Sequence, residues 1–527
     1  EAEDMTITGF LLGPTSNFGE VASEASGRKA VRLGATGESI SFVNEHASNS
    51  IVIRYSIPDN GADYWAKLSV FVDGQLRTQV DVTSRYSWSY RHQDDNIFNQ
   101  PAQNDPNAGM GHHFFDETRA LIGDVPAGST VMIQKSTGDN AARYDIDLVE
   151  MEQVPAPLAK PAGFIDIAAD CGAVPNDNQD DSGAFQACID ANPGKGLYIP
   201  EGVFHMNGSH LEVGNMTIRG AGMWHSTIMG PKARFTCWGG NCRYYDFAVF
   251  GDTTARDDGI GGADDAAFDG GNNDNVVLQN LWIEHRRVGY WTTGGGNRIE
   301  IRDSRFRNLH ADAVNFYGGV TNSVVDNSHI RGTGDDGLAA WAHAWDGRAT
   351  NSGNTFSHNY IQAPWKANCI GVYGGTDITV SDNVCTEVTQ FSGFLVANAF
   401  GSHAFGGTNK FERNSTYRVG GYYYGGAQGA FKIEAREGDV NNIQVTDLDL
   451  YDSTFFGIHV EGPNQVGSTY FNDVTIENAK DAGLFFPANA KGSMDATGIV
   501  VSGSTNGIVD DGGNSFSVNR HDGNVGW

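Results

Sequence analysis

Two short segments place carboxylates just ahead of apolar strands: His310-Ala311-Asp312-Ala313-Val314-Asn315-Phe316 and Gly332-Thr333-Gly334-Asp335-Asp336-Gly337-Leu338. They sit one repeat apart, 23 or 24 residues, a period that stacks Asp312 beside Asp335 and Asp336 on neighbouring coils of a solenoid. Carboxylates held on a rigid face are the equipment for breaking a glycosidic bond. A protonated one gives its proton to the leaving oxygen, and an ionised one activates water. Two adjacent aspartates cannot both ionise freely, so the crowding raises one pKa. Gly334 and Gly337 flank the pair and are expected to supply the backbone bend that brings both side chains to one side. An Asp-Asp pair in a Gly-rich turn also suits a solvated loop or a calcium site. The third aspartate one coil away favours catalysis.

The elements that hold these residues repeat. A small polar residue follows an apolar strand at Asn280, Ser304, Asn327, Asn359, Asn383, Asn414, Asp447 and Asp473, at intervals of 24, 23, 32, 24, 31, 33 and 26. Asn, Asp and Ser suit a coil corner, and the longer intervals mark inserted loops. A second strand follows each turn, and its alternation assigns Val314, Phe316, Leu338, Ala340, Ile370, Val372, Ile433, Ile458 and Val460 to the inside. Asn315, Tyr317, Trp341, Tyr373, Lys432, Glu434, His459 and Glu461 fall outside. Tyr317, Trp341 and Tyr373 on successive coils are expected to form an exposed ladder of sugar platforms. The spacing of His310, His343 and His459 fits hydrogen bonding to sugar better than a zinc site.

Residues 1–153 read as an antiparallel β-domain. Ser50–Tyr55 and Lys67–Val72 alternate, and Asp73-Gly74 follows the second run as a hairpin signal. The domain closes on Tyr144–Glu150, and a Pro/Ala-rich linker spans 154–163. From 164 to 527 the chain reads as the solenoid. It opens with a strand, an acidic loop, a helix from Asp181 to Ala191 and a second strand, which together cover the first coil. The fold class is therefore all-β, an antiparallel β-sandwich followed by a parallel β-helix.

The formal net charge of −29 disfavours nucleic acid, anionic membranes and polyuronates, and favours a neutral polymer. No apolar run reaches the length of a membrane span and no signal peptide is visible. A chain opening on Glu1 is expected to be a processed or recombinant form. The six cysteines, Cys171, Cys188, Cys237, Cys242, Cys369 and Cys385, fall into three locally spaced couples. That pattern suits disulfides in a secreted, extracellular protein. The segment Gly251–Asn275 offers Asp257, Asp258, Asp264, Asp265 and Asp269, as a calcium loop or as an acidic border to a cleft.

The spacing of Asp312 to Asp335-Asp336, within NLHADAVNFYGG and GTGDDGLAAWAH, resembles glycoside hydrolase family 87, the α-1,3-glucanases and mycodextranases. That resemblance implies a right-handed β-helix behind a sandwich. It also implies an inverting endo-hydrolase in which Asp335 is the general acid while Asp312 and Asp336 hold and activate water. No cofactor is implied for catalysis, and the expected form is a monomer acting on neutral α-glucan. The opening Glu1-Ala2-Glu3, IVIRYSIPDNG, LSVFVDG and YDIDLVEM resemble calcium-containing carbohydrate-binding modules of families 6 and 35. By that resemblance Glu1 or Glu3, with Asp145 or Asp147, would hold a structural calcium. The cap resembles that of the pectate-lyase and polygalacturonase superfamily. The chain lacks the NTDG, GHG and RIK segments of polygalacturonases, and Glu434 stands where a uronate-binding cation is expected. Dextranase-type hydrolases are the nearer alternative. A non-catalytic β-helix glycan-binding protein and a polysaccharide lyase are the others, and the lyase lacks a basic residue near the aspartates.

Overall fold

In the computed structural model, residues 1–61, 64–93, 102–256, 266–345, 347–423 and 425–527 are described. Two compact units emerge, one built on Glu1–Ala156 and the other on Pro157–Asp252 and Asp264–Trp527. The division falls inside the Pro/Ala-rich segment. Leu158 already belongs to the second unit, where its N–H donates to the Ala221 carbonyl and its own carbonyl accepts from the Tyr198 hydroxyl at 2.6 Å. Among the described residues no helix is long and apolar enough to cross a membrane.

The first unit is a sandwich of two five-stranded antiparallel sheets. Ile51 and Ile53 from one sheet meet Leu68, Val70, Val131 and Ile133 from the other in a single core, as alternating strands require. Asp73 and Gly74 turn the hairpin between Trp65–Val72 and Gln75–Thr83 with φ of 50° and 75°, the mirror-image turn that matches strand twist. Trp88 and Tyr90 are packing residues here: the Trp88 indole donates to the Ile57 carbonyl, and the Tyr90 hydroxyl donates to Asp59. Trp65 is exposed.

The carboxylates expected to hold calcium are held otherwise. Asp145 accepts from Arg32 Nε at 2.6 Å and Nη2 at 2.9 Å, with Arg143 beside it. Asp147 pairs with the buried Arg54 and accepts from the Ser26 amide. Glu1 accepts from the Ser26 hydroxyl at 2.8 Å, and burial pushes the Glu3 carboxyl up. Guanidinium groups supply positive charge and directional donors together, and here they pair with Asp145 and Asp147. Burial still pushes Asp147 up to about 7 against the pull of Arg54. Arginines thus engage Asp145 and Asp147, while Glu3 Oε2 is buried with no partner among the described residues.

The second unit begins with helix α1, Ser182–Ala191, stapled to the preceding loop by Cys171–Cys188. Its Phe185 meets Phe204 of the first coils edge to face. Behind it runs a parallel sheet of 22 strands facing a parallel sheet of 12, around one continuous core from Ile167 to Phe516. The 12-stranded sheet positions the chemistry. Its strands are β1 Leu211–Val213, β2 Phe235–Cys237, β3 Ala266–Gly270, β4 Val288–Trp291, β5 Val314–Tyr317 and β6 Leu338–Trp341. They continue as β7 Ile370–Tyr373, β8 Phe394–Asn398, β9 Gly429–Ala435, β10 Phe456–Glu461, β11 Ala482–Phe486 and β12 Asn506–Asp510.

The coil corners consist of two adjacent columns. One is left-handed: Asn280, Asp303, Asn327, His358, Asp382, Arg413, Asp447 and Asp473 all have φ between 47° and 59°. Its neighbour holds Ser304, Asn359, Asn383 and Asn414, all buried. There the Asn359 amide donates to Asn383, and the Asn383 amide to Asn414, each at 3.0 Å. Asn383 also donates to the Phe356 carbonyl. Asn383→Ala would strand those partners inside the solenoid and is expected to destabilise the unit by about 1–3 kcal/mol. Thermal denaturation checks this, and an unchanged midpoint would show that the ladder carries no weight.

Candidate active site

Asp312 and Asp336 occupy one register position, two residues ahead of the first inward residue of β5 and β6, where Val314 pairs with Leu338. Asn368 holds the same position ahead of β7, where Leu338 pairs with Ile370. Parallel coils therefore deliver these side chains to one place. One oxygen of each of Asp312, Asp335 and Asp336 lies within 4.8 Å of the others. Asp312 and Asp336 are buried and Asp335 is half-buried.

Asp336 is the most firmly held. Its Oδ1 accepts from the Asn368 side chain at 2.7 Å and backbone at 3.1 Å, and its Oδ2 accepts from the Tyr373 hydroxyl at 2.7 Å. Asp335 accepts from the Asp336 amide, and Asn315 Nδ2 donates to Asp312 at 3.2 Å. Burial first, then the charge of Asp335, pushes Asp336 up to about 7, against the three donors. The pair therefore retains one proton to near neutrality. The raised member, Asp336, is buried, and Asp335 is the more accessible of the two.

Glycines permit this geometry through space. Gly334 and Gly337 both lie at bends, as expected, without a left-handed backbone. A Cβ at Gly334 would strike the buried Trp365 ring at 2.2 Å, and one at Gly337 would meet the Cys369 carbonyl at 2.7 Å. Gly371 matters most: a Cβ there would lie 2.3 Å from Asp336 Oδ2 and 2.7 Å from the Tyr373 ring.

The inward set expected of β5–β10 is fully buried, so the strand parity holds. The outward face differs from the exposed ladder. Tyr373 is only 8 % exposed, its hydroxyl spent on Asp336, and it is no sugar platform. Asn315, His343, Lys432, Glu434 and His459 are buried too. Lys432 bonds Glu461 at 2.6 Å and Gln428 at 2.7 Å beneath Phe391, while Glu434 binds Arg436 at 2.8 Å. His459 lies 3.6 Å from Glu461, and burial drives its pKa well down. Tyr317 and Trp341 are half-buried and meet edge to face at 5.0 Å, with His343 stacked on Tyr317 at 4.6 Å. Loops carrying Phe391, Phe400 and Tyr423 cover this half of the sheet, which sheet parity alone does not reveal. His310 packs against Trp365. Asp257, Asp258, Asp264 and Asp265 lie outside the described residues, and Asp269 pairs with Arg234.

Residues 1–154 match the family model described as α-1,3-glucanase catalytic domain D1, and residues 179–507 match catalytic domain D2. The chain belongs to the α-1,3-glucanases of glycoside hydrolase family 87. The catalytic unit of the thermostable family 87 α-1,3-glucanase of Streptomyces thermodiastaticus is 30 % identical, with 100 % of this chain and 96 % of that one covered at a TM-score of 0.88. The Agl-KA catalytic domain is 28 % identical, with coverages of 99 % and 96 % and a TM-score of 0.90. A family 87 α-1,3-glucanase catalytic domain in complex with nigerose is 24 % identical, with coverages of 99 % and 97 % and a TM-score of 0.88. Related complexes of such domains carry single Asp-to-Ala replacements at three positions, the second 23 residues after the first and the third next to it. The comparison with curated proteins gave no match. The sandwich thus belongs, by family description, to the catalytic unit of a glycosidase.

Asn368 and Gly371 are the site residues that sequence reasoning passed over. Asn368 was legible in principle, since it precedes Ile370 by the interval that separates Asp336 from Leu338. Removing the Tyr373 hydroxyl tests the pair. A donor to the ionised form lowers a carboxyl pKa, so Tyr373→Phe raises that of Asp336 and holds the shared proton on the wrong member. Turnover is expected to fall about tenfold or more. The alkaline limb of the pH–rate profile is expected near pH 7 in the parent enzyme and higher in the variant. A limb that stays in place would remove Tyr373 from the proton balance.

Proposed function

We propose that the Asp312–Asp335–Asp336 cluster makes this chain an inverting endo-hydrolase of α-1,3-glucan. The observation that carries the reading is the convergence of three carboxylates within 4.8 Å in a chain of the α-1,3-glucanase family. Asp335, the accessible member, gives the proton that it shares with Asp336 to the glycosidic oxygen, which leaves Asp336 ionised. Asp336, fixed as an acceptor by Asn368 and Tyr373, works with Asp312 to hold the attacking water. A carboxylate whose ordinary pKa is raised is also the stronger base. The same interval between aspartates replaced in the family complexes supports this assignment.

A neutral substrate suits the electrostatics. Lys432 and Arg436 are spent on Glu461 and Glu434, and the chain carries a net charge of −29, so a uronate would be repelled. Three disulfides, Cys171–Cys188, Cys237–Cys242 and Cys369–Cys385, support an extracellular, oxidising setting. We place the enzyme there as a monomer.

One observation favours the opposite stereochemistry. Inverting carboxyl pairs usually stand about 6.5–9.5 Å apart and retaining pairs about 5–5.5 Å, and oxygens of this cluster that lie within 4.8 Å of one another are closer to the second arrangement. Here, however, two carboxylates share one water while the third serves the leaving group, so the spacing of a simple pair does not transfer directly. NMR of fresh product from α-1,3-glucan decides it: β-anomer first supports inversion, and α-anomer first establishes a retaining enzyme. Asp335→Asn, Asp312→Asn and Asp336→Asn are each expected to lower turnover by about 10²–10⁴-fold with the fold intact. Near-parent rates in all three would remove this site from consideration.

A further inference from the structure

We infer that the outward side of β2–β5 is a remote arm of the glucan cleft, ending on the indole of Trp238. This rests on the reading of the aspartate cluster as the hydrolytic centre. Thr236, Asp269, Trp291 and Asn315 are consecutive register partners, one per coil from β2 to β5. Each carries a buried polar atom with no partner among the described residues: Thr236 Oγ1, Asp269 Oδ1, Trp291 Nε1 and Asn315 Oδ1. Four coils in succession with unspent capacity form a hydrogen-bonding row just beneath the surface, suited to bridging water. The row ends at Asn315, whose other amide atom holds Asp312.

Trp238 stands two residues beyond Thr236 and one beyond the end of β2, on the same outward parity as Tyr317 and Trp341. It is 57 % exposed. The equivalent position on the next coil is Gly271, where a Cβ would lie 2.6 Å from the Trp238 ring. The missing side chain gives the indole its seat. The platform thus lies three coils from β5, roughly 14 Å at ordinary strand spacing. A neutral hexose chain has the matching chemistry. Its hydroxyls hydrogen-bond to the waters that such a row holds, and its C–H faces pack on exposed indole. The Asp269 charge is already balanced by Arg234 at 2.5 Å, so the row does not call for a cation.

The test is a series of α-1,3-linked gluco-oligosaccharides of increasing length, cleaved by the full chain and by Trp238→Ala. The loss in kcat/KM is expected to grow with chain length, reaching about tenfold on the longest members, and Trp238→Phe should restore most of it. A loss independent of length, or no loss at any length, overturns the platform. Indole fluorescence supplies a readout free of turnover. The longest oligosaccharide should perturb the emission of the parent and not that of Trp238→Phe, and an identical response in both also overturns the proposal. Parent enzyme that cleaves no member would sink the hydrolase reading alone if the Trp238-dependent response persists, and both readings if it does not.

Discussion

The parallel hydrogen-bond register between successive coils is the constraint on which everything else here depends. Each strand of the 12-stranded sheet pairs residue for residue with the next, so a residue's place in its coil becomes a column along the whole solenoid. Coils stack about 4.8 Å apart, and no side-chain choice can widen that spacing. Asp312, Asp336 and Asn368 share a column and are pressed together by the backbone. The candidate site is therefore crowded because the ladder is regular.

That crowding has a price, and the neighbouring coil offsets it. A buried carboxylate beside another carboxylate is driven toward its neutral form, and Asp336 follows that direction. Asn368 and Tyr373, both contributed by the next coil, return three hydrogen bonds to it. Gly371 leaves the space in which the tyrosine ring and the carboxylate meet. The balance leaves the pair with one proton near neutrality, the ionisation state that acid–base hydrolysis requires.

Much of this was legible in the residues. The interval between Asp312 and the Asp335-Asp336 pair, the strand parity, the cap and the Asp73-Gly74 hairpin all follow from local rules with a single solution. The corner residues were legible only in part. Asn280, Asn327, Asp447 and Asp473 are left-handed, whereas Ser304, Asn359, Asn383 and Asn414 belong to the buried column beside them. Asn, Asp and Ser suit both roles, so composition cannot separate a left-handed turn from an amide ladder one residue away. Tyr373 failed for a different reason. Parity gives the direction of a side chain, and only the structure supplies the carboxylate already waiting there. Asp145 and Asp147 likewise read as cation ligands, and only the structure shows Arg32 and Arg54, distant in sequence, paired with them.

Exposure is the quantity that the repeat pattern hides, and yet its source is written in the repeat lengths. Coils of 23 or 24 residues carry no insertion. The intervals of 32, 31 and 33 that lead to Asn359, Asn414 and Asp447 contain the segments bearing His343 and Trp345, then Phe400, then Tyr423 and Gln428. Trp341 donates to the Phe400 carbonyl across two of these loops, and Tyr423 packs on Phe391 above Lys432. The insertions thus close over the outward face at β6–β9 and turn a flat sheet into a walled site. Trp345, 72 % exposed at the tip of the first loop, shows that they also present aromatic surface outward. A solenoid fixes where its carboxylates stand, and the length of its coils decides what can reach them.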